Sequence, residues 1–107
     1  MNTVEHLTRA IDVGLAALAE ARATDGTISP ARVIELGEQM RLSHEDAIDV
    51  ALALARDRLF EVILRKDDGV VVDGTEADEI LCRVASGAAT REECEMEVLY
   101  RPRAEHL

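Results

Sequence analysis

The 107-residue chain has room for one domain, and 48% of its residues are apolar, which predicts a packed core and argues against disorder. The 22 acidic and 12 basic residues give a formal net charge of −10, so the surface repels phosphate backbones unless its cations cluster. Phe60 and Tyr100 are the only aromatic residues, which excludes a nucleic-acid platform built on stacked bases. Two origins of the acidity fit: adaptation to a salt-loving cell, or specialised binding of basic surfaces.

The first predicted element is a helix over residues 3–23, with Thr3 at its N-cap. Apolar residues recur at the three- and four-residue steps of one helical face: Val4, Leu7, Ile11, Leu15 and Leu18. Thr24-Asp25-Gly26-Thr27 then has the chemistry of a turn.

Two more helices follow. Ser29-Pro30 predicts a capped start, because proline fits the first helical position, and this second helix should end near Arg41-Leu42. Its buried side is predicted to hold Val33, Ile34, Leu36 and Met40. Ser43 and the acids after it predict a third helix to about Arg58. The residues that share its inner face are Ile48, Ala51, Leu52, Ala55 and Leu59.

A β-hairpin is predicted next. Residues 60–65 and 70–73 are rich in β-formers, and Asp68-Gly69 suits the turn between them. Thr75 begins a capping-box pattern for a fourth helix that should stop at Gly87. In the last segment, residues 90–100, an alternation typical of a strand runs through Cys94, Met96, Val98 and Tyr100. The cap at Thr90 and the glutamates after it favour a helix, and we predict a helix ended by Pro102. The predicted core includes Leu15, Ile34, Leu36, Ile48, Leu52 and Leu81.

The sequence contains no motif typical of an enzyme active site, and we expect no catalytic site, cofactor or metal. The histidines are scattered, and there is no nucleophile elbow or glycine-rich phosphate loop. Cys82 and Cys94 form no CxxC pair, which predicts two reduced, part-buried thiols in a cytoplasmic protein. The sequence has neither a signal-peptide pattern nor an apolar run of membrane-spanning length.

The segment ISPARVIELGEQMRLSHEDAIDVALALARDRLFEVILRKDDGVVVDG resembles the winged helix-turn-helix family. Met40-Arg41-Leu42 lies where the turn of that motif belongs, and the hairpin lies where its wing belongs. The resemblance implies one mainly α domain with a small hairpin: a winged-helix core over about 3–74, a helical extension over 75–101 and a tail over 102–107. It also implies pairing of two copies through helix 1 or the C-terminal segment. The alternative is an unrelated small α+β domain.

In DNA-binding members of that family, the early third helix enters the major groove. Here that segment carries Glu45, Asp46 and Asp49, which would face phosphates. Protein binding is therefore the favoured hypothesis: an acidic adaptor or inhibitor of a basic protein surface, in its sharpest version a DNA mimic such as a phage-encoded blocker of a host nucleic-acid-binding defence complex. The acids of the hairpin would extend the predicted surface, and they are Asp67, Asp68 and Asp73.

The alternative hypothesis is a DNA-binding transcriptional regulator from a halophilic or high-GC organism, in which a few cations bind DNA. Its candidate contacts form a weak basic strip of Arg32, Arg41, Arg56, Arg58, Arg65 and Lys66.

Overall fold

The computed structural model describes residues 3–56 and 59–103. Its elements are α1 (Thr3–Ala23), α2 (Pro30–Gln39), α3 (His44–Arg56), β1 (Phe60–Arg65), β2 (Val71–Val72), α4 (Gly74–Ser86), α5 (Arg91–Cys94) and β3 (Glu97–Pro102). The strands form one three-stranded antiparallel sheet in the order β2-β1-β3. The predicted α+β class is confirmed. The chain divides into a first unit, which runs to Glu61 and resumes at Tyr100, and a second unit, Val62–Leu99.

Helix α1 has the predicted bounds but buries a different face. Its buried residues are mostly small, and they are Val13, Gly14, Ala17, Leu18 and Ala21. Of the predicted face, Leu7, Ile11 and Leu15 are instead 58%, 63% and 61% exposed, Leu18 is buried as predicted, and the side chain of Val4 lies outside the described residues. The small face packs because it permits close approach: a Cβ atom at Gly14 would lie 3.1 Å from the side chains of Leu54 and Leu59.

Helix α2 begins as predicted, because Ser29 Oγ accepts a hydrogen bond from the backbone N–H of Arg32 at 3.1 Å. It ends at Gln39, two residues before the predicted stop. The N–H of Arg41 donates to the Glu38 carbonyl, and that of Leu42 donates to the Gly37 carbonyl, each at 3.0 Å. This pattern is a Schellman motif, and it satisfies carbonyls that the helix end would leave unpaired.

Helix α3 starts where predicted, with Ser43 Oγ accepting from the backbone N–H of Asp46 at 3.1 Å. Its buried side consists of Ala47, Val50 and Ala51. Leu52, which was predicted to be buried, is 53% exposed because the smaller residues face α2. Of the other predicted core residues Leu36 is buried, whereas Ile34, Ile48 and Leu81 are only partly buried.

The predicted hairpin is confirmed. Strand β1 pairs antiparallel with β2 in the register Leu64↔Val72 and Arg65↔Val71. Gly69, at φ +86°, supplies the left-handed turn conformation that residues with a Cβ atom rarely adopt. In the second unit, Leu64 and Val72 form a core cluster with Ala77 and Ile80 of α4.

The C-terminal region departs from the predicted helices. Helix α4 begins at Gly74 with Asp73 as its N-cap, so the cap predicted at Thr75 is wrong, while its predicted end at Gly87 is confirmed. The Thr90–Glu93 capping box forms but stabilises only the single turn of α5, and the predicted helix over 90–100 is wrong beyond Cys94. Tyr100 instead exchanges backbone hydrogen bonds of 2.8 and 2.9 Å with Ile28. This long-range pairing, with burial of Leu99 and Tyr100, outweighs the local preference for helix.

Candidate functional site

The acids predicted on α3 lie at its outer surface. Glu45 and Asp49 are exposed and Asp46 is partly buried, and we call these three residues the acidic face. Glu45 and Asp49 are four residues apart and so project from the same side of the helix. Neither makes an ion pair with another residue of the described ranges. Their carboxylates are therefore available to a partner.

The hairpin acids lie in the second unit. Asp67 and Asp68 are exposed in the turn, where Asp68 Oδ1 accepts from the N–H of Val70 at 3.0 Å. Asp73 is exposed at the N-cap of α4. An open hollow of about 170 Å³ adjoins the turn, and its walls are Lys66, Asp67, Asp68, Glu92, Glu95 and Met96. Glu92 and Glu95 were missed as members of this acidic surface, because the sequence assigns Glu92 to the capping segment of α5.

The cations of the predicted basic strip are in part already paired. Arg32 Nε lies 2.9 Å from Glu20 Oε2, and its Nη1 lies 3.3 Å from Glu35 Oε2. The hydrogen bonds from Arg32 lower the pKa of Glu20, and those to Glu20 raise the pKa of Arg32. Arg65 Nη2 lies 2.5 Å from Glu97 Oε1.

The other cations of the strip differ in their surroundings. Lys66 lines the acidic hollow. Arg41 and Arg56 are exposed in the first unit, and Arg58 lies outside the described residues. Three of the five described cations of the strip, Arg32, Arg65 and Lys66, therefore lie beside carboxylates, which leaves Arg41 and Arg56 as its exposed members.

Among the described acids, Glu93 has the most strongly shifted pKa, and its contacts are structural. Glu93 accepts from Arg83 Nε at 3.2 Å and from the backbone N–H of Thr90 at 3.0 Å. These contacts, the one with Arg83 first, lower the pKa of Glu93 from 4.5 to about 2. Glu93 and Arg83 also line a second hollow, of about 230 Å³, over Ile80 and Met96. The pair joins α4 to α5.

Cys82 and Cys94 are free and exposed, so the prediction of part-buried thiols is wrong. Cys82 lies on the outer side of α4, because the inner side is taken by Ala77 and Ile80. Within the described ranges, no group of three or more histidine, cysteine or acidic side chains could hold a metal ion. None of the helices traced there combines the length and apolar character needed to cross a bilayer.

An exposed apolar surface was also missed. Leu7, Ile11 and Leu15 follow one another at four-residue steps along α1, and each is more than half exposed. The signal in the sequence is that α1 carries more apolar positions than one face holds, since Val13, Ala17 and Ala21 form a second stripe.

No family model, curated protein or solved structure matches the chain.

Proposed function

We propose that this chain is a non-enzymatic interaction protein, an adaptor or inhibitor that binds a basic protein surface through the acidic face of α3. In this proposal α1, α2 and α3 with the β1–β2 hairpin serve as a winged-helix-like scaffold. A partner that normally binds nucleic acid would bind these carboxylates in place of phosphates, which is the chemistry of a DNA mimic.

The observation that carries the proposal is the different pairing state of acids and cations. Glu45 and Asp49 have no ion-pair partner in the described part of the chain, whereas Arg32 and Arg65 are held by carboxylates of the same molecule. Moving Arg32 onto a phosphate would first require breaking its contacts with Glu20 and Glu35. The exposed acids need no such rearrangement, and the formal charge of −10 attracts cationic partners at long range.

The test is a charge reversal on α3. The Glu45→Lys/Asp49→Lys variant should retain much less of a basic partner than the wild-type protein, when tagged proteins are used as bait in extracts of the source cell and bound proteins are identified by mass spectrometry. Asp78→Lys/Glu79→Lys on α4 is the matched control, because it makes the same charge change at exposed positions of the second unit.

The purified partner then gives the kinetic test. Its association with the wild-type chain should slow as salt is raised, and the α3 reversal should slow association at low salt and flatten this dependence. Equal binding by the α3 variant and the wild-type chain would overturn the proposal.

A DNA-binding regulator is the second candidate, and the exposure of Arg41 and Arg56 favours it. It predicts that a labelled DNA duplex binds the wild-type chain and that Arg56→Ala or Arg65→Ala abolishes this binding.

If the acidity is halophilic, circular dichroism should detect loss of structure at low salt through carboxylate repulsion, whereas an adaptor of a low-salt cell should stay folded.

A further inference from the structure

The second unit contains a groove that the acidic face of α3 does not explain. The two hollows described above, of about 170 and 230 Å³, share Lys66, Glu92 and Met96 as walls and therefore adjoin. We call them together the Met96 groove. Each volume lies below the roughly 300–1,000 Å³ of pockets that hold whole small-molecule ligands. The groove therefore has the size of a site for one side chain.

The floor of the groove is apolar. Val72 and Ile80 line it at 6% and 3% exposure, and Met96 packs against the core cluster to which they belong. The unbranched thioether side chain of methionine adapts its shape to whatever packs on it. An occupant of the groove therefore needs an aliphatic part that covers Met96.

The rim of the groove is acidic, and its acids come from two different elements. Asp67 and Asp68 belong to the turn between β1 and β2, and Glu92 and Glu95 lie at α5. Asp67 and Glu92 are exposed, and neither makes an ion pair with another residue of the described ranges. An occupant therefore needs a cationic head with donors for more than one carboxylate.

We propose that the Met96 groove binds an arginine side chain of a basic protein partner. The aliphatic stem of that arginine covers Met96, and its guanidinium group binds the carboxylates of Asp67 and Glu92. A guanidinium group fits better than an ammonium group, because it has five donors in a plane and is more weakly hydrated. No group of acids in the described ranges could hold a metal ion, which argues against a divalent cation as the occupant. The inference rests on the proposed function only for the basic character of the partner.

Lys66 is the cation that an incoming arginine meets in the groove. It is the only lysine of the chain, and it makes no ion pair with a carboxylate of the described ranges. Its charge opposes the arginine, whereas its methylene stem adds to the apolar wall. Lys66→Met removes the charge and keeps an unbranched apolar side chain, so this variant should bind the arginine more tightly.

The experiment is a nuclear magnetic resonance titration of the full chain, isotope-labelled at its methionine methyl groups, with an end-capped Gly-Arg-Gly peptide. About 0.15 M salt limits long-range attraction by the net charge, since the Debye length is then about 8 Å. The methyl signal of Met96 should shift and saturate, while that of Met40, in the first unit, should stay in place. A peptide with citrulline, a neutral analogue of arginine, should bind at least about tenfold more weakly. A lysine peptide should also bind more weakly, and calcium chloride should not move the Met96 signal.

Matched variants locate the binding. Glu92→Gln should raise the dissociation constant of the arginine peptide about threefold, and Lys66→Met should lower it. Asp78→Asn, at an exposed position of α4 outside the groove, makes the same charge change as Glu92→Gln and should leave the constant unchanged. Circular dichroism should show native helicity in each variant.

The groove and the acidic face of α3 are tested separately. The Glu45→Lys/Asp49→Lys variant should still bind the arginine peptide at Met96, so failure of the proposed function and failure of this inference are distinguishable. Equal binding of the arginine and citrulline peptides, equal effects of Glu92→Gln and Asp78→Asn, or equal shifts of Met40 and Met96 would overturn the inference. A lysine peptide that binds as tightly, or a Met96 signal that moves with calcium alone, would overturn the assignment of arginine.

Discussion

Gly37 of α2 lies so close to Ala47 of α3 that a Cβ atom at position 37 would be 3.0 Å from the Cβ atom of Ala47 and 3.4 Å from its Cα atom. Gly37→Ala should therefore destabilise the fold by about 1 kcal/mol, because overpacking against backbone outweighs the gain in helix propensity. Urea unfolding at one fixed protein concentration measures the change.

Gly14→Ala is the matched control for that substitution. Its new Cβ atom would also be tightly placed, but against the flexible ends of Leu54 and Leu59 at 3.1 Å. Those side chains can shift, so the variant should keep the helix-propensity gain and be stabilised by up to about 1 kcal/mol. Equal effects of the two substitutions would contradict the account of the α2–α3 contact.

Arg41 has φ +70° at the first position beyond the C-cap of α2, where glycine is the preferred residue. Arg41→Gly should raise the free energy of unfolding by about 0.5–1 kcal/mol, because it removes the clash between Cβ and backbone. Arg41→Ala, which keeps the Cβ atom, is the control and should change stability little. If alanine stabilises as much as glycine, the backbone conformation is not the cause.

Leu36 and Leu52 carry the same side chain in opposite surroundings, at 8% and 53% exposure. Leu36→Ala should cost about 2–5 kcal/mol, since it removes buried methyl groups and leaves a cavity. Leu52→Ala should cost less than about 0.5 kcal/mol in the isolated chain. Thermal and urea unfolding of both variants measure these changes. A large loss of unfolding free energy in Leu52→Ala would mean that α3 is rotated.

The hydroxyl of Tyr100 donates to the carbonyl oxygen of Ala51 at 2.8 Å, and burial raises the pKa of Tyr100 above its ordinary 10.0. Above about pH 10 the folded chain holds this proton more tightly than the unfolded chain does, so stability should fall as pH rises. Tyr100→Phe should cost about 1 kcal/mol at neutral pH and flatten this alkaline loss. Because Tyr100 is the only tyrosine, ultraviolet absorbance of tyrosinate reports its titration directly. A titration midpoint at or below 10 would contradict the burial.

The Arg83–Glu93 contact predicts an effect at acid pH. Since the pKa of Glu93 falls from 4.5 to about 2 on folding, the unfolded chain binds more protons between these values. The contribution of Glu93 is therefore complete above about pH 4.5 and is lost as pH falls through about 2. Glu93→Gln should make the acid loss of stability shallower in this range, as measured by urea unfolding. Glu92→Gln, whose carboxylate accepts no described hydrogen bond from Arg83, is the control.

Local chemistry in the sequence predicted the features that neighbouring residues decide among themselves. Ser29-Pro30 and Ser43 start α2 and α3, Asp68-Gly69 turns the hairpin, and Gly87 ends α4. Each depends on a hydrogen bond or a backbone conformation within a few residues, which the sequence displays directly. The net charge and the acids of α3 follow from composition and helix period alone.

The tertiary structure decided which surfaces are buried and which charges are paired. Two apolar stripes on α1 have the same helical period. The stripe of small residues is the buried one, because alanine and glycine let helices approach closely. Residues 97–102 form a strand because they pair with β1, and Tyr100 also bonds to Ile28, 72 positions away; no local window of the sequence contains either contact. Arg32 and Arg65 are bound by Glu20 and Glu97, which only the folded chain brings within reach.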